Sequence, residues 1–355
     1  GRPAGIRRLS VLERSESLLK VDGLTKRFDA SSPWIMRLLS REPRRIVHAV
    51  EDVSFEIERG TTFALVGESG CGKSTIARCV AGILSPNAGS ITFMGADMVG
   101  RQGGRAARRH RRHLQMIFQD PYASLDPRWR VGRIIAEPIV THRLLHGRAA
   151  IDARVEELLR LVGMSGDDAR KYPHQFSGGQ RQRISIARAL AGEPDFVVCD
   201  EPTSALDVSV QAQILNLMRG LQTRLGLSYL LISHNLAVVA HMAERIGVMY
   251  LGRLVETGDA RSIIERPSHP YTRMLLDTIP DMEMSGRRRT RPKGEVPNPL
   301  APPAGCPYHP RCPFANSRCS FEPPRPVRVG TVLVACHAVE EGRLTADTPA
   351  AEPAG

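Results

Sequence analysis

Apolar residues along the chain come in two rhythms. Short unbroken runs, each about a strand long, end at polar or glycine-rich positions. In "TTFALVGESGCGKSTIARCVAGIL", residues 61–84, the pattern reads as a buried strand, a glycine-rich turn and a helix. Phe196 to Cys199 form another apolar run, ahead of Asp200 and Glu201, while "MIFQ" leads into Gln119 and "LSYLLIS" into His234. The second rhythm is helical. Val155, Leu158, Leu159 and Val162 make a stripe in "RVEELLRLVGM", and Ile184, Ala187 and Leu190 make another behind "HQFSGGQ". No run approaches the ~18 apolar residues of a membrane-spanning helix.

Composition narrows the picture only slightly. A length of 355 residues suits one large domain with an appendage, or two domains. With 42% hydrophobic and 24% charged residues, the balance is that of a soluble globular protein. The net charge of +12 would suit nucleic acid or an anionic membrane, but arginine outnumbers lysine 44 to 5 and the excess is spread widely. The one dense block, "RQGGRAARRHRRH" at 101–113, lacks interleaved aromatics. It reads first as a solvated face, next as a contact for lipid head groups, and last as a nucleic-acid site.

The glycine-rich turn carries chemistry. Gly67, Gly72, Lys73 and Ser74 satisfy G-x-x-x-x-G-K-[ST], with the required strand before and helix after. Successive backbone N–H groups of such a turn wrap phosphates, Lys73 adds a point charge at the β/γ oxygens, and Ser74 is placed for Mg²⁺. A turn of this kind needs an acidic metal partner at the end of a second strand. Asp200 and Glu201 supply it, and because consecutive strand residues face differently, they can divide the work. Asp200 would hold Mg²⁺ through water, and Glu201 would polarise the attacking water. Gln119 and His234 each follow a strand, where the plain reading is a strand-end hydrogen bonder. Their order beside the other motifs favours metal and water contact for Gln119, and γ-phosphate contact for His234.

"HQFSGGQRQRISIARAL", residues 174–190, poses a separate question. Ser177 is a good N-cap, and the glycine pair behind it opens a helix whose first-turn N–H groups suit an anion. The stretch has neither a nucleophile nor a metal ligand.

The motif order resembles that of ABC-transporter ATPases. The P-loop at 67–75, Gln119, "FSGGQ" at 176–180, the acidic strand end at 196–201, "SALD" at 204–207 and His234 carry the resemblance, which covers roughly residues 18–340. It implies an α/β fold: a P-loop NTPase (RecA-like) core, an antiparallel β subdomain, an α-helical signature subdomain and a small Cys-rich C-terminal extension. The implied ATP contacts are Gly67, Glu68, Ser69, Gly70, Cys71, Gly72, Lys73, Ser74 and Thr75, with Phe28 stacking on adenine. In this family two ATPase domains pair head to tail. Ser177, Gly178, Gly179 and Gln180 would therefore hold the partner's ATP, which answers the question of the anion, and Asp207 is a further implied ATP contact. The departure from the pattern is "DASSPWIMRLLSREPRRIV", which intervenes between Phe28 and the P-loop.

"YASLDPRWRVGRIIAEPI", "ERPSHPYTRMLLDTIP" and the tail resemble ATPase subunits of oligopeptide/dipeptide importers, the kind partnered by a second, different ATPase. The implied layout is an ATP-binding domain at 18–285 with a helical subdomain at about 120–176. A Pro-rich linker at 286–303, a Cys-rich extension at 304–340 and a disordered tail at 341–355 follow. Such a subunit would sit peripherally on the cytoplasmic face of the membrane with two transmembrane permease subunits. A second ATPase would be its direct partner, an extracytoplasmic substrate-binding protein would act on it indirectly, and nucleic acid is not expected. The competing reading is a soluble ABC ATPase acting on DNA or ribosomes; within the importer reading, nickel or glutathione remain open as cargo. Cys306, Cys312, Cys319 and Cys336 follow C-x5-C-x6-C-x16-C, without the C-x2–4-C pairs of zinc sites. With no export signal read in the sequence, a reducing compartment is expected, and a disulfide framework is not. A thiolate-only set fits an iron–sulfur cluster, and related importers are expected to carry [4Fe–4S] here. Zinc and free structural thiols are the alternatives, and His309 or His337 is a candidate replacement ligand.

Overall fold

The computed structural model describes residues 17–31, 44–99, 110–277 and 294–345. Most of the basic block (101–109) and of the segment after Phe28 (32–43) lies outside the described residues, as do 286–293 of the Pro-rich stretch and 346–355 of the tail.

Two sheets organise the chain. Strands β1 (Ser17–Asp29) and β2 (Ile46–Glu58) pair antiparallel, and β4 (Ala88–Phe93) with β5 (Ala96–Asp97) completes a four-stranded sheet in the order β2-β1-β4-β5. The second sheet has five parallel strands: β6 (Leu114–Ile117), β7 (Phe196–Asp200), β8 (Ser228–Ile232), β3 (Thr62–Val66) and β9 (Arg245–Tyr250). The apolar runs read from the sequence are these strands. Every residue of β3, β7 and β8 is buried, as strands covered on both faces require.

Pleating then divides their side chains between two cores. Phe63 and Leu65, Phe196 and Val198, Leu230 and Ile232 pack with β1, β2 and the helix α1 (Lys73–Val80). Ala64 and Val66, Val197 and Cys199, with Leu231, face the opposite core. There they meet helices α2 (Val131–Thr141), α3 (Arg148–Leu161) and α4 (Gly178–Leu190). The α3 stripe of Val155, Leu158, Leu159 and Val162 is wholly inside.

The Cys-rich extension does not stand apart. After β10 (Arg253–Asp259), which pairs antiparallel with β9, the hairpin β11 (Pro326–Val329) and β12 (Val332–Ala335) continues the same sheet to eight strands. Glu256 pairs with Val334, and Thr257 with Leu333. Val332, Val334, Cys306, Tyr308, Cys319 and Cys336 join the core that holds Ile246 and Val248. A segment so poor in apolar residues has too little surface to bury alone, and it borrows an existing core.

This junction contains a buried histidine. His269 is 1% exposed; its Nδ1 accepts the Tyr271 N–H at 3.0 Å and its other nitrogen bonds the Ala335 backbone. Burial lowers its pKa from 6.5 to about 3. The unfolded chain therefore takes up a proton below 6.5 that the folded chain refuses until about 3. Stability from this residue is complete above pH 6.5 and falls with pH across that window, by at most about 1.4 kcal/mol per pH unit. Buried Glu256, whose carboxyl burial pushes up, works in the opposite sense. Urea unfolding from pH 8 down to pH 4 should therefore show a shallower acid loss in His269→Gln than in the parent chain. Equal slopes in a variant that is folded at pH 8 would contradict the assignment.

Candidate active site

The carboxyl ends of β3, β7 and β8 converge, as ligand sites in parallel sheets do. Between β3 and α1 the chain turns through Gly67–Gly72. Gly72 has φ +107°, and a Cβ there would lie 2.2 Å from the Ala49 carbonyl oxygen of β2, so a side chain is excluded twice over. Lys73 is 5% exposed, and its ammonium donates to the carbonyls of Gly67 (2.7 Å) and Glu68 (2.9 Å). Thr75 lies in the first turn of α1. Glu68, Ser69, Gly70 and Cys71 line a cavity of about 620 Å³ whose far wall is Glu295–Pro299.

Asp200 and Glu201 do face differently. Asp200 is buried and accepts the Ser74 hydroxyl at 2.8 Å; burial pushes its carboxyl up, while that bond pulls it down. Glu201 leaves the strand in a left-handed conformation, φ +46°, with its N–H on the Ile232 carbonyl. Such a φ in a non-glycine residue costs about 1–2 kcal/mol and concentrates at functional sites. It turns the carboxylate toward two strand ends at once. Gln119 Nε2 donates to Glu201 Oε2 at 3.1 Å, and His234 Nδ1 stands 3.2 Å from the same oxygen. Ser204 braces the turn by donating to the Glu201 carbonyl. Neither the left-handed residue nor the brace carries a sequence signal, since both depend on where β8 runs.

Ser177 caps α4 in a reciprocal box with Gln180, and both are exposed. The Gln180 N–H is therefore already satisfied by the Ser177 hydroxyl, which leaves fewer free first-turn donors than the sequence reading assumed. The glycines have a reason inside the chain as well. A Cβ on Gly179 would meet Val210 Cγ1 at 2.5 Å, so the signature turn packs against helix α5 (Val208–Leu225) just past Asp207. Asp207 is exposed and makes no side-chain cap. Phe28 is half-buried and pairs with Val47, two residues from the Ala49 that touches the P-loop, with the Lys26 ammonium 5.0 Å from its ring.

The cysteine tail holds no preformed metal site among the described residues. Cys306, Cys312, Cys319 and Cys336 are all free thiols, and each lies within electrostatic reach of the other three. Burial pushes Cys306 up to about 11 and Cys312 up to about 12. Among the described residues, however, no three His, Cys, Asp or Glu side chains are placed to hold a metal ion, so the expected cluster ligand set is not assembled. His337 has Nε2 at the Glu322 carbonyl (2.8 Å) and Nδ1 near Glu340 (3.4 Å), which leaves it no free ligating nitrogen. His309 spends Nδ1 on the Cys306 carbonyl.

The sequence reading also missed what surrounds Glu68. The Tyr271 hydroxyl accepts its N–H at 2.8 Å, and Arg311 reaches its carboxylate from the extension.

Comparison with known proteins agrees with this geometry. Residues 50–204 match the ABC transporter family, and residues 255–319 match the oligopeptide/dipeptide transporter C-terminal region. The di/tripeptide transport ATP-binding protein DppF of Pseudomonas aeruginosa is 48% identical over 83% of this chain and 91% of its own length. The dipeptide transport ATP-binding protein DppF of Escherichia coli is 46% identical over 84% of this chain and 89% of its own. Among solved structures, the dimeric post-hydrolysis cassette MJ0796, bound to ADP and Pi, aligns with a TM-score of 0.59. It covers 68% of this chain and 99% of its own at 25% identity. Identity near one half across more than four fifths of both sequences leaves one conclusion: the chain belongs to the ATP-binding subunits of the oligopeptide/dipeptide ABC transporters, ATPases coupled to transport.

Proposed function

We propose that this subunit hydrolyses ATP to drive import of dipeptides or oligopeptides, as one half of a head-to-tail ATPase pair. The observation that carries it is the meeting of Gln119 and His234 on one oxygen of Glu201, beside the Ser74–Asp200 contact. Lys73 would neutralise the β/γ-phosphates, and its carbonyl partners hold it in place for that. Ser74, Gln119 and, through water, Asp200 would hold Mg²⁺, which supplies charge neutralisation when bound. Glu201 Oε2 would accept the proton of the attacking water, with Gln119 and His234 orienting it. Phe28 would stack on the adenine.

Ser177, Gly178, Gly179, Gln180 and Asp207 would close over the partner's ATP, a reading supported by the exposure of Ser177, Gln180 and Asp207. No helix among the described residues is long and apolar enough to cross a membrane, so the subunit would work through others. It would dock on two permease subunits at the cytoplasmic face beside a second ATPase, with a substrate-binding protein outside. Peptide cargo is proposed from the names of the relatives.

Three buried thiols and the half-buried Cys312, all within reach of one another, also support a finer proposal. Cys306, Cys312, Cys319 and Cys336 would draw together around a [4Fe–4S] cluster that ties the extension rather than serving hydrolysis.

Glu201→Gln should cut turnover by roughly 10²–10⁴-fold while ATP binding survives, trapping the closed pair. Ser177→Arg should leave this chain's own photo-crosslinked ATP in place and damage hydrolysis at the partner's P-loop. Near-normal turnover in the first variant removes the role given to Glu201, and loss of labelling only on the mutated chain in the second contradicts head-to-tail pairing. For the tail, anaerobically purified protein should carry about four irons per chain, lost when any one of the four cysteines becomes Ser. Stoichiometric zinc, or neither metal, overturns the cluster.

A further inference from the structure

Glu68, the second residue of the P-loop, is tied at each of its polar groups. Its N–H donates to the Tyr271 hydroxyl at 2.8 Å. Its carboxylate receives both Arg311 Nη1 (2.8 Å) and Nη2 (3.0 Å), a two-pronged pair. Its carbonyl oxygen accepts Lys73 Nζ at 2.9 Å. Glu68 thus stands between the phosphate-binding lysine and two residues more than 200 positions further along the chain.

Those two residues are themselves held. The Arg311 side chain is 4% exposed, and its guanidinium lies 5.8 and 5.9 Å from the ring centroids of Tyr250 and Tyr308. Tyr250, Tyr271 and Tyr308 pack on one another with centroids 4.7–5.4 Å apart. Arg311 ends the short turn His309–Arg311, between Cys306 and Cys312, so its position is set by the fold of the cysteine segment. Tyr271 follows His269, whose N–H is gripped by Glu256 on β10. A guanidinium buried this deeply loses far more than one hydrogen bond if its carboxylate is removed.

From this geometry we infer that Arg311 and Tyr271 are positioning residues for ATP binding, acting through Glu68 to fix the P-loop backbone and Lys73. ATP affinity at this site then depends on how the C-terminal extension is seated. The inference rests on the ATP-binding reading above and adds to it a control from outside the ATPase motifs. A pair that only stapled the extension to the core would change melting temperature and leave affinity alone.

The test is titration of the full-length chain with a fluorescent ATP analogue, together with KM and kcat in the assembled transporter. Arg311→Ala should weaken binding about tenfold, within the usual range of coupling between sites, and raise KM more than it lowers kcat. Arg311→Lys, which keeps the charge and loses the fork, should fall between Arg311→Ala and the parent. Combining Arg311→Ala with Glu68→Gln should cost no more affinity than the worse single change, because both act through one pair. Unchanged affinity in folded Arg311→Ala, or strictly additive losses, overturns the inference. If Arg311→Ala does not fold, Arg311→Lys and Glu68→Gln alone decide it by the same measure. The parent chain and Lys73→Ala separate the two layers: a parent that binds no analogue, or a Lys73→Ala that binds normally, defeats the ATP reading itself.

Discussion

Lys73 is a buried cation without a carboxylate. Its ammonium rests on two backbone carbonyls, and no acidic side chain of the described residues stands within ion-pair distance. Burying a charge is costly unless something opposite in sign compensates it, and carbonyl dipoles compensate only partly. The site is therefore short of negative charge by construction, and in the proposed function a phosphate would complete it. Much of the surrounding structure can be understood as keeping that shortage in place. Asp200 is engaged by Ser74, Glu201 is turned toward Gln119 and His234, and Glu68 is neutralised by Arg311.

Separation of the carboxylates follows from strand geometry. Asp200 ends the strand beside Ser74, and Glu201 just past it, in a left-handed conformation, bonds Gln119 and His234 instead. One carboxylate thus stays buried beside the P-loop serine, while the other keeps access to water. The same pleating divides the apolar residues of β3, β7 and β8 between two cores. The sheet is anchored on both faces, and its strand ends can hold polar side chains in fixed relation.

What was legible in the sequence was local. Continuous apolar runs marked β3, β7 and β8, since a strand covered on both faces keeps its polar residues to its ends, here Thr62, Asp200 and Ser228. The stripe of α3 and the cap at Ser177 were legible because periodicity and capping act over a few residues. Long-range consequences were not. Gly179 looked like an opening for a ligand, yet it also clears space for Val210, thirty-one positions on. The hairpin that extends the sheet was unreadable because "PVRV" and "VLVA" are too short to declare a partner. The Glu68–Arg311 pair spans 243 positions, and no spacing rule reaches that far.

The extension shows how such distant pieces become part of the site. Without β12, strand β10 would present an open edge, and unpaired edges are liabilities that folds cover. Covering it places Val334 opposite Glu256 and brings the Ala335 backbone to His269. Glu256 in turn accepts the N–H groups of Ser268 and His269, which fixes the start of the helix carrying Tyr271. Tyr271 then meets the N–H of Glu68. The Glu256 links are buried hydrogen bonds and the Tyr271–Glu68 link is partly buried, so losing one leaves polar groups poorly solvated and weakens its neighbours. The edge that β12 covers is thus also the route by which a cysteine-rich tail reaches the glycine-rich turn of Glu68 and Lys73.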